Sequence, residues 1–369
     1  MSGERLAFLD PHEKYFGRSE TGQSFNLNDA DPEEKPPLTE FYDQFSPFEG
    51  VLGCRISKKR YQGTLFRFPL RNEPSDLSKK TYSADKVRSL FKSLQQEASL
   101  ILLFLKNVDK ICIYETSDQA KEYLLFSVQV KGCCRDEVRR KKQQFLQRVY
   151  LWTAGRIEDV DLSLKVTFEE ERRGKQKSEH EWFVHNCIGA KNLRLRQLAS
   201  ELSLLPWMGF ATPLTNEGRQ AMEPYGGRLF CFLPLPLDSD VKTELPVHVH
   251  GAFGLSDNRR ELKWPGGERQ NDEAAEWNQL LLDHVGARAY AKMLVDLIQT
   301  QMQQDGNIQS KVSLMYKAWP QIHKVQFHWR RILGPMFKIL VNESILWSPA
   351  CGGQWIKTEN AIFDRMETR

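Results

Sequence analysis

The densest alternation of apolar and polar positions lies between Gly226 and Trp264. Residues 228–237 form an apolar run short enough to be one buried strand. Pro234 and Pro236 mark where that strand leaves its sheet, because proline cannot donate a ladder hydrogen bond. Asp238-Ser239-Asp240 predicts a turn. From Pro246 the alternation resumes, with Val247, Val249 and Phe253 on one face of a strand and His248 and His250 on the other. A polar loop follows, Ser256-Asp257-Asn258-Arg259-Arg260, before Trp264-Pro265-Gly266-Gly267 closes the unit. Its adjacent guanidinium groups suit an anionic partner, or else they tie the loop down.

Elsewhere the same reading predicts strands at 6–9 and 63–71, with a polar loop over 17–37 between them. Ser83 caps an amphipathic helix carrying Val87, Leu90, Phe91, Leu94, Ala98 and Ile101. Strands are expected at 102–105, 111–114 and 123–130, then a helix over 136–152 that buries Val138, Phe145, Leu146, Val149 and Trp152. The opposite face of that helix holds Arg139, Arg140, Lys141, Lys142 and Arg148. Residues 162–168 and 181–187 read as a hairpin around a polar turn at 169–179, and a short helix stops at Pro206. Asp272 caps a long helix with Trp277, Leu281, Val285, Ala289, Met293 and Leu297 in an i+4 ladder, and Gly286 inside it. A further helix over 322–341 is interrupted or kinked at Pro335, and the last thirty residues read as short strands and turns. Boundaries near 105 and 270 divide the chain into residues 1–105, 106–270 and 271–369.

Composition narrows the functional classes. A net charge of +4, from 52 basic and 48 acidic residues, argues against a dedicated nucleic-acid binder. Cysteines 54, 112, 133, 134, 187, 231 and 351 are scattered, odd in number and mostly within apolar runs, so they read as reduced core residues. Cys133-Cys134 lacks the neighbours of a zinc site. The longest apolar run, 100–105, is too short for a bilayer, and the N-terminus has no signal core, so a soluble cytoplasmic protein is expected. Phosphate-cradling glycine loops, the G-x-S-x-G elbow and H-E-x-x-H are missing. His248-x-His250 would need a third ligand to hold a metal, and none is in view. No catalytic residue and no metal site are expected.

Several blocks carry a family resemblance: LAFLDPHEKYFG (6–17), FYDQFSPFEGVLGC (41–54), GTLFRFPLR (63–71), LPVHVHGAFGLSDNRRELKW (245–264) and the aromatic blocks at 316–320 and 352–356. In spacing and content the chain resembles the recurring unit of the sacsin family of large co-chaperones. That resemblance implies an α+β architecture: the C-terminal part of a GHKL-type α/β sandwich, as in the heat-shock-chaperone ATPases, then a mixed α/β second domain and a helical C-terminal segment. In the family, the Asn helix, the Asp-x-Gly adenine motif and the glycine lid precede the LAFLDPHEKYFG block, which here begins at Leu6, so a truncated ATPase region is expected. Thr64 matches the family's adenine-pocket threonine, and Asn258, Arg259 and Arg260 match a second-domain loop that reaches toward phosphate. ATP and magnesium are cofactors of the complete family domain, and none is expected for this chain. The reading is a protein-binding co-chaperone module whose partners are protein clients or heat-shock chaperones. One alternative is an ATPase completed in trans, with Arg259 or Arg260 on phosphate. Another is a nucleic-acid module using the 139–148 face and the 172–177 turn.

Overall fold

The computed structural model describes residues 48–49, 73–74, 76, 79–81, 83–116, 122–153, 159–189, 191–222, 226–236, 242–266, 272–303 and 306–362. The strands expected at 6–9 and 63–71, and Thr64 with them, lie outside these residues. The chain divides into two compact units, Met1–Gln95 with Tyr114–Leu124, and Gln96–Ile113 with Leu125–Arg369. In the first, Ser83 opens helix α1 (Ala84–Phe104), its Oγ accepting the Lys86 amide at 3.3 Å. Arg88 pairs there with Asp85 at 3.1 Å and Glu115 at 3.2 Å, exposed contacts of the kind that add little stability in water.

The second unit takes over α1 from Gln96 and buries Ala98 and the run from Ile101 to Phe104. Residues 102–104 are therefore the last turn of a helix rather than the expected strand. A short apolar run satisfies either element, and here burial on the sheet decides.

Eight strands form one sheet in the order β1-β2-β3-β4-β5-β8-β6-β7. They are β1 (Lys110–Thr116), β2 (Glu122–Val130), β3 (Val160–Arg172), β4 (Ser178–Ile188), β5 (Trp207–Pro213), β6 (Leu229–Cys231), β7 (Leu233–Pro234) and β8 (His248–Gly251). The run from β2 through β5 to β8 pairs antiparallel, while β6 lies parallel to β8, so the sheet is mixed. The β3–β4 hairpin is longer than its apolar core predicts. Its ladder continues to Glu170↔Ser178, and Gly174 turns the chain at φ +73°. The single strand expected over 228–237 is instead two short ones: Phe232, at φ +62°, folds the chain back so that Cys231 faces Leu233. Pro234 is tolerated because β7 is the sheet edge.

Register fixes the two faces of the sheet. Trp182, Val184, Asn186 and Ile188 share a face with Pro213, Ala211, Gly209 and Trp207, and with His248 and His250 beyond them. Helix α2 (Gly132–Thr153) covers this face: Phe145 and Val149 pack with Val160, Ile188 and Trp207. Phe183, His185 and Cys187 share the other face with Thr212, Phe210, Met208 and Val249. The predicted split between Val249 and the two histidines is what the strand shows.

That second face lies under the C-terminal helices. After α3 (Leu193–Glu201) and α4 (Asn216–Met222), Asp272 caps α5 (Glu273–Leu281) by accepting the Ala274 amide at 2.9 Å. One π turn, Leu282–Gly286, joins α5 to α6 (Ala287–Met302). The predicted ladder from Trp277 to Leu297 is buried along its whole length. Each large side chain so buried contributes roughly 1.5–3 kcal/mol. Gly286 serves close packing, since a Cβ there would lie 2.8 Å from Met208 Sδ. Tyr290 stacks on Phe210 with ring centroids 4.9 Å apart and donates its hydroxyl to the Ala318 carbonyl at 2.7 Å. Helix α7 (Ile308–Tyr316) follows. A 3₁₀ segment, Phe327–Ile332, then runs into α8 (Leu333–Leu340). Pro335 sits in the first turn of α8, where its missing N–H costs little, and so does not kink the helix as expected. The hairpin β9 (Leu346–Ser348) and β10 (Gln354–Ile356) sets Trp347 against Trp355 at 5.5 Å. No helix of the described residues is long and apolar enough to cross a membrane.

Candidate functional site

The loop singled out from sequence is a tight, exposed hairpin. Ser256 and Glu261 exchange backbone and side-chain bonds, and Leu255 bridges to Leu262. Asn258 Oδ1 accepts from Ser256 Oγ at 2.7 Å and from the Arg260 amide at 3.0 Å, so its carboxamide oxygen is engaged in closing the loop. Arg259 takes a left-handed backbone, φ +57°, and both arginines are exposed. Thr64 lies outside the described residues.

His248 and His250 are buried, and neither behaves as a ligand. His248 Nδ1 accepts the Arg228 amide at 2.9 Å, and His250 Nδ1 accepts the Phe232 amide at 3.3 Å. Each ring therefore carries its proton on Nε2. Burial pushes both down to about 3, helped at His248 by Arg228 and Arg219 and at His250 by Lys106, so both are neutral. Phe104 stacks on His250 at 5.0 Å, and Trp182 lies 5.3 Å from His248. Arg228 itself pairs with Glu97 at 2.7 Å, tying β6 to the end of α1. Among the described residues no group of three or more His, Cys, Asp or Glu side chains could hold a metal ion.

Sequence reasoning missed a polar cluster on the opposite face. Ser163 on β3, His185 on β4 and Asp296 on α6 meet there. Ser163 Oγ lies 2.7 Å from His185 Nδ1 and donates to Asp296 Oδ2 at 2.5 Å. Asp161 Oδ1 stands 3.8 Å from His185 Nε2, with Lys292 at 3.6 Å from its other oxygen. Burial would raise the Asp296 carboxyl, but its bonds to His185 and Ser163 outweigh this and hold it below the usual carboxylate range. In a hydrolytic triad the imidazole stands between serine and carboxylate and takes the hydroxyl proton. Here the serine and Asp296 lie on the same side of the ring, 2.7 and 3.6 Å from Nδ1, and the hydroxyl donates its hydrogen bond to the carboxylate rather than to the imidazole. The fully buried His185 ties α6 to the hairpin. Two turns earlier Arg288 does the same, pairing with Asp159 at 2.7 Å and donating to the Gly189 carbonyl at 3.0 Å. The readable signals were the alternation Asp161, Ser163, Lys165 on a strand and the i+4 series Arg288, Lys292, Asp296 on a helix.

The basic helix face is largely engaged. Arg139 meets Asp109 at 2.5 Å, Lys141 meets Glu137 at 2.7 Å, and Arg135 donates to Gln129 Oε1 at 3.0 Å. Lys142 donates to the Leu105 carbonyl just beyond α1 at 2.9 Å, and burial pushes it down to about 8. The described cysteines are free, but only Cys187 is fully buried: Cys112, Cys134 and Cys231 are half-buried and Cys133 is exposed. The expected core placement thus holds for one of them, because Cys112 lies on the edge strand β1, Cys231 at the end of β6, and Cys133 and Cys134 at a helix start.

Residues 1–126 match the Sacsin domain family. Over 387 residues, taking in the whole chain, the sequence is 35% identical to Sacsin from Homo sapiens. The chain belongs to the sacsin family. It spans 8% of the length of human Sacsin, so the geometry above describes one module of sacsin type. Within that module the His248–His250 strand, the 256–261 loop and the Ser163 cluster all lie in the second unit.

Proposed function

We propose that this chain is a cytoplasmic sacsin-type co-chaperone module that binds protein clients or heat-shock chaperones and does not turn over ATP by itself. One observation carries the reading: the similarity to Sacsin runs through 100% of the chain, sheet, loops and helices alike. The site geometry supports it. Asn258 closes its own loop, the histidine pair is neutral and packed among aromatic rings, and the Ser163 hydroxyl donates its hydrogen bond to a carboxylate. Meanwhile Leu193, Phe327, Tyr150 and Leu233 stand exposed on four different elements. The test is light scattering from a heat-unfolding client enzyme with the purified chain added, with and without ATP and magnesium. Suppressed scattering that is indifferent to ATP supports the module. Scattering identical to the client alone rejects it.

A second reading is an ATPase completed by a partner chain. It is favoured by one feature, the hydrogen-bonded hairpin that presents Arg259 and Arg260 at the surface, as an arginine supplied in trans would require. ATP hydrolysis that appears only on mixing with the partner, and falls on Arg259→Ala or Arg260→Ala, would promote it over the first.

A further inference from the structure

Cys133 and Cys134 open helix α2, and neither the fold's core nor the site above uses them. Their surroundings differ sharply. Cys134 is half-buried, and its Sγ donates to the Lys131 carbonyl at 3.2 Å and lies 3.9 Å from the Thr167 carbonyl on β3. Burial pushes this thiol up, and the Cys133 thiol, close enough to interact with it, adds to the rise. Cys133 is exposed, at the positive end of a 22-residue helix. The Lys131 ammonium, paired with Glu179 at 2.7 Å, lies within electrostatic range of it. One sulfur thus faces solvent at the start of the helix while its neighbour in sequence is half-buried and hydrogen-bonded to a backbone carbonyl, the asymmetry of an attacking and a resolving cysteine.

We propose that Cys133 and Cys134 form a reversible oxidation site, in which a hydroperoxide oxidises Cys133 and Cys134 converts the product to a disulfide that opens the first turn of α2. In the first step the Cys133 sulfur attacks the peroxide, the O–O bond breaks, an alcohol leaves and the sulfur becomes a sulfenic acid, two electrons poorer. In the second, the Cys134 sulfur attacks that sulfur, the S–S bond forms, the S–O bond breaks, and the thiol proton leaves with the hydroxyl as water. Two thiols and one hydroperoxide give one disulfide, one alcohol and one water. Adjacent Cα atoms stand about 3.8 Å apart across a trans peptide. Relaxed disulfides span roughly 4.4–6.8 Å, so this ring is strained and readily reduced. The backbone must leave helical geometry to close it. Closure also pulls Cys134 Sγ from the Lys131 and Thr167 carbonyls, loosening the start of the helix that covers the histidine face.

The experiment treats the reduced full chain with tert-butyl hydroperoxide and maps the cysteines by mass spectrometry after trypsin, which releases residues 132–135 as one peptide. The expected result is that peptide two hydrogens lighter and restored by dithiothreitol, with faster amide exchange in the first turn of α2. Cys134→Ser is expected to leave a Cys133 sulfenic acid that dimedone traps, and Cys133→Ser to slow oxidation of the peptide at least about tenfold. An unoxidised peptide while other cysteines react would overturn the proposal, as would a Cys133→Ser chain oxidised at Cys134 as fast as wild type. The peptide map of the unsubstituted chain is decisive even where a variant folds poorly.

Discussion

His185 and the pair His248–His250 are buried to nearly the same degree on opposite faces of one sheet, yet they keep different company. His185 meets a serine and two carboxylates, one of them reached across from α6. The pair meets aromatic rings and backbone amides, with arginine and lysine as the nearest charges. Burial alone therefore says little about what a histidine does: polar partners on three elements turn one into a hydrogen-bonded tie between them, and rings with like charges turn the others into neutral packing groups. A strand sequence of alternating histidine reads the same in either case.

The largest effect that sharpens the contrast is acid sensitivity. Each of the paired histidines is at about 3 in the fold against 6.5 when unfolded. The unfolded state then binds more protons between those values, so their contribution is full above pH 6.5 and is lost as pH falls toward 3. At roughly 1 kcal/mol per proton per pH unit, the pair removes at most a few kcal/mol of stability per unit in that window. Urea unfolding at pH 7, 6 and 5 measures it, and replacing both rings with asparagine should flatten the slope. Next comes Gly227→Ala. A Cβ at Gly227 would overlap the Val247 carbonyl and force β6 away from β8, breaking the Arg228 amide bond to His248. A loss of about 3 kcal/mol is expected in the same titration. His185→Ala leaves Ser163, Asp161 and Asp296 facing one another with no imidazole between them. It should cost about 2 kcal/mol and speed amide exchange in α6 without altering the acid slope of the pair. Smallest is Arg259→Gly, which relieves a left-handed backbone and should raise stability by about 0.5–1 kcal/mol by differential scanning calorimetry.

Much of this fold was legible in the chain. The Asp272 cap and its i+4 ladder, the 136–152 helix and the two-faced 247–253 strand follow from periodicity, because each has one buried face and one pattern to match it. Strand β5 was not. Every residue of Trp207–Pro213 is buried, so the run has no alternation to reveal it, although it is the strand on which both faces are built. The fold-back at Phe232 also escaped, since a bulky residue at positive φ has no local signal and is held by its neighbours. As for the site, the loop and the histidine pair could be named in advance, but not their company. Ser163 and Asp296 are 133 residues apart, and only the packing of α6 on the hairpin joins them.

These polar constellations hold the fold together, and we propose that the chain works by binding protein rather than by chemistry on nucleotide. Calorimetric titration of ATP with magnesium into the purified full chain tests it most directly. No saturable heat at micromolar nucleotide is the predicted result, and a one-to-one isotherm with micromolar affinity would contradict it.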